Sequence, residues 1–497
     1  MLLYIHVPFC RRKCRYCAFH SLPLIGEGGT SPAPEALQTP HADTAFTAGP
    51  TAASTALAGV APVTPSAQAI SGQDGHTSTK GHGVPPESPP GPTANAAGMS
   101  GGIAGIVDRA GGAMRSCTPA EALPAYVETL FSELALWGDR LGNAPVETIF
   151  FGGGTPSLLP PHVVAAILDR VHRTFSVAPG AEISLEANPE SLSNRQQARA
   201  LYDAGVNRLS LGVQALDDAL LHLMGRPHRA RDAIRAFNAA RDAGFTNISL
   251  DFIWGLPGQR LRQWLDQLRE VVRLRPEHLS CYGLTLEEGT PLTADVESGS
   301  IALPVEREQA AMFMQGAERL EEAGYLQYEI SNFARMGFQC HHNLGYWEGR
   351  DYLGLGPSAT STIDGLRWTN PYDHGAWHES VRTGRIGADA ERLDLTVRVL
   401  ELVMLRLRTT RGLRVKAYRE LTGRDFLRDH KPLVHLLHRN GLVRIRDGYL
   451  RLTRNGMLVS NSILERFFER SETLLTLEST EKTHETRMAG PISGDTP

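Results

Sequence analysis

Short runs of strand-forming residues recur along this chain with helical patterns between them, and that alternation limits the fold more than any other feature. The runs are Leu2-Leu-Tyr-Ile-His-Val, Val146-Glu-Thr-Ile-Phe-Phe, Ile183-Ser-Leu-Glu, Arg208-Leu-Ser-Leu-Gly-Val-Gln, Ile248-Ser-Leu-Asp-Phe-Ile and His278-Leu-Ser-Cys-Tyr-Gly-Leu. Amphipathic helical patterns cover 123–141, 194–204 and 230–243. Strands alternating with helices predict an α/β fold with a parallel sheet and right-handed crossovers. About six such units predict a partial (β/α)6 barrel of the TIM type, with its site at the C-terminal strand ends. The polar residues agree: Glu186 and Gln214 end their runs, and Asp251 lies late in its own.

Composition divides the chain further. The segment 21–120 is rich in Ala, Gly, Pro, Ser and Thr, and Phe46 is its only aromatic residue. It has too little apolar surface to offset the entropy of ordering, so it is predicted to be a disordered insertion. It separates a short first piece, 1–20, from the body of the α/β unit, 121–375. From about 388 the texture changes to helical patterns at 393–406, 416–420 and 433–440, followed by a hairpin pattern centred on Asp447-Gly448. That order predicts a mostly helical, winged-helix-like domain over 388–470. Its basic residues are interleaved with acids, so a packing role is expected for it. The polar tail, 471–497, is predicted to be disordered.

Charge and cysteine usage narrow the function classes. A formal charge of -4, from 50 basic and 54 acidic residues, gives no reason to expect a nucleic-acid partner. No apolar run approaches the ~20 residues of a membrane span. The apolar start has no basic region before it and is not expected to be a signal peptide. Of the six cysteines, Cys10, Cys14 and Cys17 fall within eight residues, while Cys117, Cys281 and Cys340 are scattered. This spacing suggests a metal site in a reducing cytoplasm, not a disulfide framework.

Two motifs carry chemistry. In Cys10-Arg-Arg-Lys-Cys14-Arg-Tyr-Cys17, three thiolates could wrap an iron–sulfur cluster or a zinc ion. Zinc would want a fourth ligand, and His20 is the only local candidate. Three cysteines on a four-iron cluster would leave one iron open to a ligand. Arg11, Arg12, Lys13 and Arg15 would partly neutralise an anionic cluster. The second motif is Cys340-His-His-Asn-Leu-Gly-Tyr-Trp347. Its histidine could simply cap the turn that follows.

The CxxxCxxC motif, with aromatic Tyr16 before its last cysteine, resembles that of the radical SAM family. With Tyr4-Ile-His-Val-Pro-Phe-Cys around it, the resemblance narrows to oxygen-independent coproporphyrinogen III oxidase and its relative, the heme chaperone HemW. It runs from about residue 2 to 470, interrupted by the insertion. The resemblance implies a 4Fe–4S cluster on Cys10, Cys14 and Cys17, whose open iron is chelated by the amino and carboxylate groups of S-adenosylmethionine (SAM). Reductive cleavage of SAM would then yield methionine and a 5′-deoxyadenosyl radical. Family contacts to SAM carry over to Tyr4, Tyr16, Gly153, Gly154, Thr155, Glu186, Gln214, Arg226 and Asp251. Glycines in the 152–154 turn would let backbone approach the ligand closely.

The second motif resembles the His-Asn-x-x-Tyr-Trp signature of HemW. It implies His342 as an axial or contact residue for heme, with Tyr346 and Trp347 against the porphyrin. Cys340 is a weaker candidate for the same iron. Two departures from the oxidase pattern favour the chaperone branch. Phe19 stands where the oxidase has a further cysteine, and the first cluster cysteine is already residue 10. The chaperone reading implies delivery of heme to respiratory heme proteins, at the inner face of the membrane, by a cytoplasmic protein. It also needs a reductant for the cluster, and a homodimer is among the expectations. The oxidase is the alternative function, and a binding protein with a structural cluster is a third.

Overall fold

The computed structural model describes residues 1–18, 21–23 and 119–488. The expected insertion therefore lies almost wholly outside the described residues, as do Phe19, His20 and 489–497. Six parallel strands form the centre: β1 (Leu2–Val7), β2 (Pro145–Gly153), β3 (Ser176–Ala187), β4 (Arg208–Gln214), β5 (Ile248–Trp254) and β6 (His278–Gly283). They pair in sequence order, each beside the next. Between them run α1 (Pro119–Leu141), α2 (Pro161–Thr174), α3 (Arg195–Asp203), α4 (Ala230–Asp242) and α5 (Leu261–Leu274). The apolar stripe of α2, with Val164, Ile167, Leu168 and Val171, joins the same buried core as Ile149, Leu185 and Leu209 of the strands. Burying such stripes supplies the main drive for this layer packing.

The sheet is wider than the strand pattern indicated. Tyr352–Leu355 pairs parallel with β1, and three antiparallel strands continue beyond it. On the other side Asn332–Ala334 pairs antiparallel to β6, and Leu326–Gln327 lies beyond it. Among the described residues β1 and β6 are not paired, so the sheet is an open, partial barrel. The added strands span two to four residues each, too short for periodicity to mark them.

The C-terminal region holds helices Leu395–Leu407, Val415–Thr422 and Lys431–Arg439, then a hairpin of Val443–Arg446 and Tyr449–Leu452. The hairpin turns at Asp447 and Gly448, with φ of 53° and 76°, as a two-residue loop matched to strand twist requires. The expectation of a disordered tail over 471–497 needs correction for 471–488, because one helix runs from Ser460 to Met488. Ile463, Leu464 and Phe467 on its first turns are buried, and Phe467 packs on Phe426 with ring centroids 5.2 Å apart. That packing nucleates the helix, after which each added residue needs only modest helix propensity. No helix among the described residues is long and apolar enough to cross a membrane.

Candidate functional site

The strand ends and the cysteine loop enclose one cavity, and its lining includes the three cluster cysteines, the nine expected SAM contacts and His342. These are Cys10, Cys14, Cys17, Tyr4, Tyr16, Gly153, Gly154, Thr155, Glu186, Gln214, Arg226, Asp251 and His342. They come from elements as far apart in sequence as β1 and the helix His341–Trp347.

The glycine turn after β2 is stitched to the chain leaving β1. Gly154 N donates to Val7 O at 2.8 Å and Thr155 N to Phe9 O at 2.7 Å. There is no room for a side chain here. A Cβ on Gly153, where φ is 107°, would lie 2.5 Å from the His6 ring, and one on Gly154 would lie 2.5 Å from Phe9 O. Thr155 is thereby held with its Oγ1 3.5 Å from Cys10 Sγ, while it accepts a bond from Asn188 Nδ2 at 3.0 Å.

The cysteine loop is pinned at several points. Arg226 Nη1 donates to Cys14 Sγ at 3.3 Å, and its Nη2 donates to Asn188 Oδ1 at 2.6 Å and Gly212 O at 3.1 Å. Arg15 N donates to Met224 O at 3.0 Å, and its guanidinium pairs with Asp295. The three thiols are half-buried and form no disulfide. Among the described residues no three His, Cys, Asp or Glu side chains converge on a position for a single metal ion. The thiols, with the Arg226 guanidinium and the Thr155 hydroxyl beside Cys14 and Cys10, are a donor set whose chemistry suits an anionic iron–sulfur cluster.

The carboxylates sit deeper. Burial first, and then the charge of Asp251, push Glu186 up to about 8, against a 3.2 Å bond from Gly153 N. Burial also raises Asp251, opposed by hydroxyl bonds from Ser210 and Ser249, each 2.8 Å. Gln214 reaches the cavity because the β4–β5 register shifts just before it, leaving its φ at 68°. The Tyr4 hydroxyl lies 3.2 Å from His6 Nδ1. Burial raises the Tyr16 hydroxyl, with Arg226 opposing.

His342 is in a helix, not a loop, and it caps nothing that follows. Glu182 takes the first N–H groups of that helix, from His341 at 3.0 Å and His342 at 3.1 Å. The His342 ring stacks on Phe150 with centroids 5.0 Å apart and meets the Tyr346 ring edge-on at 4.9 Å. Its Nδ1 is 2.8 Å from Thr148 Oγ1, while Nε2 has no partner among the described residues. The ring is 1% exposed, and burial pushes its pKa down to about 3, so it is neutral. Tyr346 lines the cavity, but Trp347 packs against Ile330 in a separate apolar cluster. Cys340 is buried and donates its thiol to Glu182 at 3.4 Å, behind the cavity wall.

Sequence reasoning missed Asn188, Arg208, Ser210, Ser280 and Tyr282, which also line the cavity. Part of the signal was present. Arg208, Ser210, Gly212 and Gln214 alternate along β4, and all four face the cavity.

Comparisons with known proteins agree with this arrangement. The Radical SAM superfamily model matches residues 117–271, and the HemN C-terminal domain model matches 393–459. The heme chaperone HemW of Synechocystis sp. is 41% identical over 290 residues, covering 58% of this chain and 70% of that protein. Heme chaperone HemW of Escherichia coli is 35% identical over 352 residues, covering 69% of this chain and 89% of that protein. This chain belongs to the HemW family of radical SAM proteins. Membership implies a 4Fe–4S cluster and SAM as its cofactors. The crystallised coproporphyrinogen III oxidase (HemN) of Escherichia coli shares the HemW-family fold seen here. It matches with a TM-score of 0.64 at 18% identity, covering 94% of this chain and 89% of that one.

Proposed function

We propose that this chain is a heme chaperone that carries a 4Fe–4S cluster on Cys10, Cys14 and Cys17, binds SAM beside it, and takes up heme near His342. The reading is carried by one observation: the cysteine loop, the glycine turn, the strand-end carboxylates and His342 all line a single cavity. A cluster held by these cysteines and reduced by a cellular reductant would supply the electron for reductive cleavage of SAM. Arg226 donates to a thiolate sulfur and offsets negative charge there. Gly153 and Gly154 leave backbone open to the ligand. Bound SAM would, through its cationic groups, lower the raised pKa values of Glu186 and Asp251 and favour their carboxylate forms. His342 offers a neutral imidazole whose Nε2 is unpartnered among the described residues, as ligation to heme iron needs. The heme would pass to respiratory heme proteins, from a cytoplasmic protein working at the inner face of the membrane with a cellular reductant.

The test uses anaerobic, cluster-reconstituted protein. Changing Cys10, Cys14 and Cys17 together to Ala should abolish the iron–sulfur absorbance. His342→Ala should shift the heme Soret band or weaken heme binding while the cluster spectrum stays. Coproporphyrinogen III should not be converted. Turnover of coproporphyrinogen with no heme uptake would replace this reading with the oxidase.

A further inference from the structure

Arg208 opens β4 on the cavity side of the barrel, and it is 1% exposed. Buried guanidinium groups are ordinarily paired, because removing a charge from water without compensation costs several kcal/mol. Among the described residues this one has neither a hydrogen bond nor an ion pair, and its Nε is buried without an acceptor. Burial opposes its charge, yet the nearby carboxylates Glu182 and Asp251 favour the protonated form. Those carboxylates are committed elsewhere. Both Glu182 oxygens serve the helix that carries His342, and the Asp251 oxygens accept Ser210 and Ser249. The donors of Arg208 are therefore left over, in a wall that ligand can reach.

We propose that Arg208 anchors a carboxylate group of a ligand in this cavity, at a subsite separate from the Arg226 side of the cysteine loop. A planar guanidinium presents parallel donors that match a carboxylate oxygen pair. The carboxylate is either a heme propionate, in which case the inference rests on the heme reading, or a small free carboxylic acid.

The full chain with its cluster reconstituted tests this in two arms. In the first, heme and heme dimethyl ester are titrated by Soret absorbance. The ester should bind the wild type about 10-fold more weakly. Arg208→Gln should erase that difference and Arg208→Lys should retain part of it. In the second arm, sodium propionate is compared with sodium chloride at equal ionic strength by thermal melting. Propionate should raise the wild-type Tm but not that of Arg208→Gln. Propionate stabilisation that depends on Arg208, with no heme binding, assigns the site to a small acid and removes the heme reading alone. Equal binding of heme and its ester, together with no propionate effect, overturns the proposal. So does a propionate effect that survives unchanged in either variant. If Arg208→Gln does not fold, Arg208→Lys and the wild-type ester comparison decide.

Discussion

A methyl group on Gly153 would strike the His6 ring at 2.5 Å, on a backbone with φ of 107°. Gly153→Ala should therefore lower stability by roughly 2 kcal/mol, seen as a Tm drop of several degrees, and should weaken SAM binding by calorimetry. Glu186 makes a different demand. In the folded chain its pKa is about 8, from burial and Asp251, against 4.5 ordinarily. Folded chain thus binds more protons than unfolded chain between those values. The stabilising contribution is complete below the lower value and is lost as pH rises through the upper one. Wild-type Tm should fall more steeply from pH 5 to pH 8 than that of Glu186→Gln; parallel curves would contradict the shift. At this scale the sequence named Gly153 and Glu186 through motif and strand-end position. It could not announce Arg208, because an arginine in a strand looks the same whether or not an acceptor awaits it.

A fully buried carboxyl group, Glu133, is among the ties that hold helix α1 to distant parts of the chain. Glu133 accepts bonds from Gly356 N and Asn370 Nδ2, each 2.8 Å, and from Trp377 Nε1 at 3.1 Å. These partners lie more than 200 residues further along the chain. Glu133→Leu would take this acceptor from three buried donors, of which Asn370 Nδ2 keeps a second bond to Gly356 O, and should cost about 3 kcal/mol in urea unfolding. Glu133→Gln, which keeps an acceptor oxygen, should lose less. The helix itself was legible from its amphipathic pattern, but its fastening was not, since a lone Glu in a helix usually points to solvent. The helix Ser460–Met488 carries the opposite lesson. Its polar part from 471 onward was expected to be disordered, whereas the burial of Ile463, Leu464 and Phe467 in its first turns supplies a nucleus on which that part can continue as helix.

For the whole molecule, removal of 25–115 should leave one cooperative melt and an intact cluster spectrum. That segment has a single aromatic residue, Phe46, and little else able to join a core. A deletion variant that loses its cluster or melts in separate steps would contradict this. The sequence alone determined the alternation of the six central strands with helices and the close spacing of the three thiols in the cysteine loop. Both are local: alternation has a period of two or 3.6 residues, and the three thiols lie within eight residues. Only the tertiary structure decided that His342 is neutral and sits across the same cavity, that Trp347 and Cys340 face away from it, and that Arg208 lacks an acceptor. Protonation, burial and partnership depend on the low-dielectric surroundings that distant segments create when they pack, and no short stretch of chain contains that information.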